Sequence, residues 1–159
     1  KIVHDNDMEL GAIISISFAV LNTIGFILPA LVLKPLSDKF GRIKIHILSI
    51  TIMALGYFGI VFFGFQPIIL YLFMAIIGIG WGAVVSLPFA IMSEKVEKSK
   101  MGFFMGVFNL SVVIPQLIVS LVLGYFINQF ENKSLIFVIC GVSLSISAFL
   151  WLLVKEDKK

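Results

Sequence analysis

Charge is scarce in this chain. Only 13% of its 159 residues are Asp, Glu, Lys or Arg, and 60% are hydrophobic, whereas a soluble domain carries about a quarter charged residues. A mean hydropathy of +1.11 means more apolar surface than the chain can hide within itself, so part of it must face lipid. Cysteine is scarcer still. Cys140 is the one cysteine, which excludes an intrachain disulfide and leaves redox compartment unread. Histidine occurs only at His4 and His46, which fall on opposite sides of the membrane in the topology below. No acid or histidine pairs within an apolar run, and Cys140 has no visible partner. Hydrolase, protease and metal chemistry lack their parts, so no enzyme activity, metal or cofactor is expected. No charged ring lines any run, which argues against an ion channel. A basic leader is missing too, since Asp5, Asp7 and Glu9 occupy the first ten residues. The chain opens on Lys1 rather than Met, and is expected to be a piece of a longer protein.

What is present is five apolar runs without a single Lys, Arg, Asp or Glu, at about 10–33, 45–65, 68–92, 102–130 and 135–154. Each is long enough to cross a bilayer as a helix, and a central charge would cost several kcal/mol there. The expected fold is all-α, a polytopic membrane bundle of five transmembrane helices forming one domain over residues 1–159. The basic residues orient it. With the stretch Lys34–Lys44 inside, Lys34, Lys39, Arg42, Lys44, Lys95, Lys98, Lys100, Lys155, Lys158 and Lys159 share one side, and only Lys1 and Lys133 the other. That asymmetry places the N-terminus outside and the C-terminus in the cytoplasm, as an odd number of spans requires. The basic residues flank a lipid bilayer, and no nucleic-acid partner is expected. Asn132-Lys133-Ser134 has the form of a glycosylation sequon, but so close to the membrane it reads as a short polar turn.

Polar residues inside the runs are few. In the fourth, Gly102, Gly106, Asn109, Val113, Gln116 and Ser120 recur every three or four residues and share one small, polar face. Pro115 removes a backbone donor and frees the carbonyl of Ser111, so that face should meet protein or water rather than lipid. Asn109 and Gln116 offer donors and acceptors suited to a sugar hydroxyl; equally, small residues and amides bind helix to helix. In the third run Ala75, Gly78, Gly82 and Ser86 form a similar stripe. Trp81 lies beside it, placed to stack on a ligand ring or to fill space. Gly78, Gly80 and Ala83 fit a dinucleotide fingerprint by spacing, but no strand precedes them. Gly11, Ser15, Asn22 and Gly25 share a face of the first run, and Cys140, Ser143 and Ser147 one of the last; both read more as packing surfaces than as site.

The charged island Pro35-Leu-Ser-Asp-Lys-Phe-Gly-Arg-Ile-Lys44 organises the rest. Asp38 and Arg42 lie four apart, so on a helical turn they would face each other and pair. Gly41 permits a sharp reversal between helices. Asp38, Lys39, Gly41 and Arg42 resemble the cytoplasmic loop motif of the major facilitator superfamily, with Lys34 where its first Gly would stand and Ile43 where its last basic residue would. The departures resemble the weaker copy in the C-terminal half of such transporters.

A second resemblance rests on Gly106, Asn109, Leu110, Val113, Ile114, Pro115 and Gln116, which are similar to the eleventh helix of sucrose–proton symporters and their bacterial sugar-transporter relatives. Ser86-Leu-Pro-Phe-Ala90, at the end of the third run, is similar too. The resemblance implies that the chain spans the eighth to twelfth helices of a twelve-helix transporter in the cell membrane. It implies a sugar or other small polar solute as cargo, moved with a coupling cation, a proton foremost. It also implies a missing N-terminal half, which would hold most of the coupling carboxylates. Asn22, Trp81, Asn109 and Gln116 are then the expected substrate contacts. Asp38, Lys39, Gly41 and Arg42 form the gating loop that latches the two halves, with Asp38 near the positive end of a helix in the absent half. The rival reading is a structural subunit of a membrane complex. It explains the small stripes as glue but not the loop motif.

Overall fold

The computed structural model describes residues 7–127, 129 and 132–154. It is an all-α helix bundle, and no strand occurs among the described residues. Helix α1, Asp7–Leu28, runs without interruption into a π-helical turn, Pro29–Leu33, and then α2, Lys34–Phe40. After a reversal at Gly41 come α3, Arg42–Phe63, and α4, Pro67–Lys95. A 3₁₀ turn at Lys98–Lys100 leads to α5, Met101–Ile127, and α6 is Leu135–Trp151. His4, the predicted end of the fourth run at Phe130 and the tail Lys155–Lys159 lie outside the described residues.

The breaks have local causes. Gly41 adopts φ 95°, ψ 143°, a left-handed backbone open to glycine and costly for other residues. At the other end of α3, Gly64 closes the helix and Gln66 is extended. Pro67 then opens α4 at the position where a missing N–H costs nothing. Between α5 and α6, the Asn132 side-chain oxygen accepts the Ser134 N–H at 3.1 Å, which makes the sequon residues a polar turn.

Four of the helices are long and apolar enough to cross a membrane, over Glu9–Leu28, Arg42–Phe63, Pro67–Lys95 and Lys98–Val122. The fifth, α6, has 17 residues and is about 26 Å long at 1.5 Å per residue, slightly short of a typical hydrocarbon core. Their outer faces are strongly apolar: Phe26 is 85% exposed and Leu121 75%. Lipid is the medium in which such surface carries no hydration penalty.

Helix α4 is the centre of the bundle, with α1 packed on one side and α3 on the other, and α6 packs behind α3. One apolar cluster joins Leu33, Ile43, Ile45, Ala83, Leu87 and Ile91 near the Gly41 end. The other joins Leu21, Met53, Ile60, Met74 and Ile77 farther along. Glycines allow the close approach. A Cβ on Gly78 would lie 2.7 Å from the Leu21 carbonyl, and one on Gly82 2.8 Å from the Gly25 carbonyl. The small stripe of α4 is therefore at least partly a helix-packing surface, the use that small residues have in membranes. Helix α5 differs. None of its apolar window is buried, and its described ring contact with the bundle is Phe108 against Phe89, centroids 6.2 Å apart.

Two expectations change here. The first apolar run does not end at 33 in a loop, because the helix continues through the charged island to Phe40. Asp38 and Arg42 do not pair across a helical turn, because the chain reverses between them at Gly41; four-residue spacing brings side chains together only where one helix is continuous.

Candidate functional site

At the Gly41 end, Arg42 is the first residue of α3, and its side chain reaches to α4. Nη1 donates to the Ala90 carbonyl at 3.2 Å, and Nη2 lies 3.1 Å from Glu94 Oε1. The planar guanidinium reaches the two acceptors from two nitrogens in a fixed fork, whereas an ammonium group would have to reach both from one nitrogen. The Arg42 and Glu94 side chains are 29% and 42% exposed, so the ion pair itself contributes only about 0.2–1 kcal/mol. The hydrogen bond to Ala90, from a charged donor, adds to that.

Arg42 also forms one wall of a cleft of about 220 Å³ between the first helical rod and α4. Pro29, Leu33, Lys34, Ser37 and Asp38 line one side, and Ser86, Leu87 and Ala90 the other. The π turn shapes its mouth. The Lys34 N–H donates to the Pro29 carbonyl, five residues back, and such turns insert one extra residue into a helix. Lys39 lies over the Phe40 ring at 5.2 Å from Nζ to the centroid. Asp38, Gly41 and Arg42 thus gather at one end of the bundle, with Lys39 beside them.

Ser37 is 5% exposed, and its hydroxyl has no hydrogen-bond partner among the described residues. An unsatisfied buried hydroxyl costs about 1–3 kcal/mol. Ser37→Ala is therefore expected to leave the fold intact and raise stability by about 1 kcal/mol, read as a higher melting temperature in detergent; a lower one would mean the hydroxyl has a partner in solution.

Away from the charged end, Trp81 lies at the α1–α4 seam against Gly25, and Asn22 is one turn earlier on α1. Asn22 is exposed, and its Nδ2 donates to the Phe18 carbonyl at 2.8 Å, leaving its side-chain oxygen available to a ligand. Gly25, one turn farther along α1, abuts the Trp81 indole. Asn109 and Gln116 are exposed on α5, the helix with least packing, and are not brought to the same seam. Sequence reasoning missed Glu94, the Ala90 carbonyl and the orphan Ser37 hydroxyl. Glu94 is one of two acids, with Glu97, in a connection that also supplies Lys95, Lys98 and Lys100 to the basic side, and sequence alone does not single it out.

Residues 3–119 match the family model described as Major Facilitator Superfamily. The chain belongs to that superfamily. The match includes the Gly41 reversal, the Arg42–Glu94 link, Trp81, Asn109 and Gln116, and stops short of α6. No curated protein and no solved structure matches the chain. Members of the superfamily are transporters rather than enzymes, and this is a multi-pass membrane chain of that type. Among the described residues, no group of three or more His, Cys, Asp or Glu is placed to hold a metal ion.

Proposed function

We propose that the chain is the greater part of one half of a secondary active transporter that moves a sugar or glycoside by alternating access, coupled to protons or another cation. The observation that carries the reading is the fastening of α3 to α4 by Arg42, at one end of helices whose apolar middles carry isolated amides and an indole. In this scheme two bundles rock about a site near mid-membrane. The Asp38–Arg42 segment is the gate on the cytoplasmic face of the cell membrane, and the N-terminus lies outside. Asn22 and Trp81 contact the solute from the α1–α4 seam, and Asn109 and Gln116 contact it from α5. An indole face stacks on a pyranose ring, and amides exchange hydrogen bonds with its hydroxyls. The apolar runs of this chain carry no carboxylate, and the acids of its spans, Glu9 and Glu94, stand at helix ends, so in this scheme the coupling proton is taken by groups of the complementary half.

The test is uptake of radiolabelled sucrose by proteoliposomes holding the complete transporter. Asn109→Leu and Gln116→Leu are each expected to lower kcat/KM about tenfold, the worth of one hydrogen bond of about 1.4 kcal/mol, with insertion and yield unchanged. Wild-type kinetics in both variants would reject the assignment.

A further inference from the structure

We infer that Gly25 is a positioning residue for Trp81, holding the indole in one orientation at the α1–α4 seam. The inference rests on the reading of Trp81 as a substrate contact. Trp81 is 41% exposed, so part of its ring lies outside the packing while its Cδ1 edge is held against the seam. At that edge, a Cβ on Gly25 would lie 2.8 Å from Trp81 Cδ1, but 3.3 Å from the Gly78 carbonyl and 3.6 Å from the Gly82 nitrogen. The tightest neighbour is the indole. Gly78 and Gly82 are different, because their tightest neighbours are the backbone carbonyls of Leu21 and Gly25. Those two glycines let the helices approach, whereas the space at Gly25 is occupied by a side chain.

The consequence follows from rotamer geometry. A helical tryptophan chooses between two χ1 wells, since the third drives it into the preceding turn. With Gly25 the seam accepts the ring edge-on. With any larger residue the indole has to swing or slide, because the backbone atoms beside it are fixed by α1–α4 packing. Asn22 lies one turn earlier on α1, so the orientation of the ring decides how a solute is held between the indole and that amide. The Cδ1 edge against Gly25 is the part of the indole that a Cβ there would displace.

Trp81 and Trp151 are the two tryptophans, so a Trp151→Phe background makes Trp81 the sole tryptophan, excited selectively at the red edge where tyrosine does not absorb. In that background, with the chain in lipid nanodiscs, Gly25→Ala is expected to shift the emission maximum and change quenching by acrylamide. Melting temperatures in the wild-type background separate this role from simple helix packing. Trp81→Phe should restore the temperature lost by Gly25→Ala, since the smaller ring removes the clash, but should not restore that lost by Gly78→Ala. An unshifted emission, or equal rescue of both glycine variants, would overturn the proposal. Sucrose uptake by the complete transporter tests the premise separately. An emission shift with rescue, but wild-type uptake in both Gly25→Ala and Trp81→Phe, would support the positioning geometry and remove Trp81 from the solute site.

Discussion

Gly80→Val is expected to prevent the bundle from folding, while Gly11→Val leaves it intact. Gly80 lies where α4 crosses α3, the most extensively packed pair of helices. A Cβ there would overlap the Met53 side chain and lie 2.8 Å from the Ser49 carbonyl. Met53 is flexible enough to yield. The Ser49 carbonyl belongs to the α3 backbone and moves only if the whole helix retreats. Valine adds two further methyl groups to the same space. Overpacking of this kind costs about 3 kcal/mol or more, and retreat of α3 would also loosen the Ile77 and Met53 cluster on which α4 rests. Gly11 has nothing within 4 Å of its would-be Cβ, so the same substitution there controls for β-branching in a helix. Thermal melting in detergent, followed by circular dichroism and size-exclusion profile, reads both. A folded Gly80→Val bundle would mean that α3 and α4 lie farther apart than described.

Arg42→Ala is expected to release the charged end of the bundle. It removes at once the hydrogen bond to Ala90 and the ion pair with Glu94. With the ion pair discounted for exposure, the two links together are worth about 2 kcal/mol, or about thirtyfold in an equilibrium between fastened and released arrangements. Arg42→Lys should recover only part of this, because a single ammonium nitrogen is a point charge without the fixed fork that spans the two acceptors. The measurement is the rate at which a cysteine introduced at Ser37 reacts with a membrane-impermeant maleimide. That position is buried beside the cleft and should become reactive in Arg42→Ala, less so in Arg42→Lys. Equal, slow labelling in all three would show that Arg42 does not hold the cleft closed.

The spans were legible because a long uncharged run has one common outcome, a membrane-spanning helix. Gly41 was legible because glycine between two helical runs marks a reversal. The pairing of Asp38 with Arg42 was misread by applying helical spacing across that same reversal. The true partner, Glu94, lies 52 residues along the chain, and no local pattern announces a contact at that distance. Charge also misled: Lys34, Asp38 and Lys39 suggested a loop, yet charged side chains can equally sit on a helix, as those of α2 do. The glycines of α4 admitted two readings in sequence, cavity wall or helix contact. The structure places Gly78 and Gly82 against α1 and Gly80 against α3, which periodicity alone could not divide. On α5 only Met101, Met105 and Phe108, which share one face, are half-buried among the described side chains.

The extra residue held in the turn at Pro29–Leu33 has a consequence for counting along this helix. Everything after it lags by about 100°, so Ser37 and Asp38 stand at the angles that Leu36 and Ser37 would occupy in an unbroken α-helix. A related chain one residue shorter between Gly25 and Lys34 would need no such turn to present the same charged face to Arg42. A single-residue gap at this point in an alignment would therefore mark a change of winding, with the charged face preserved.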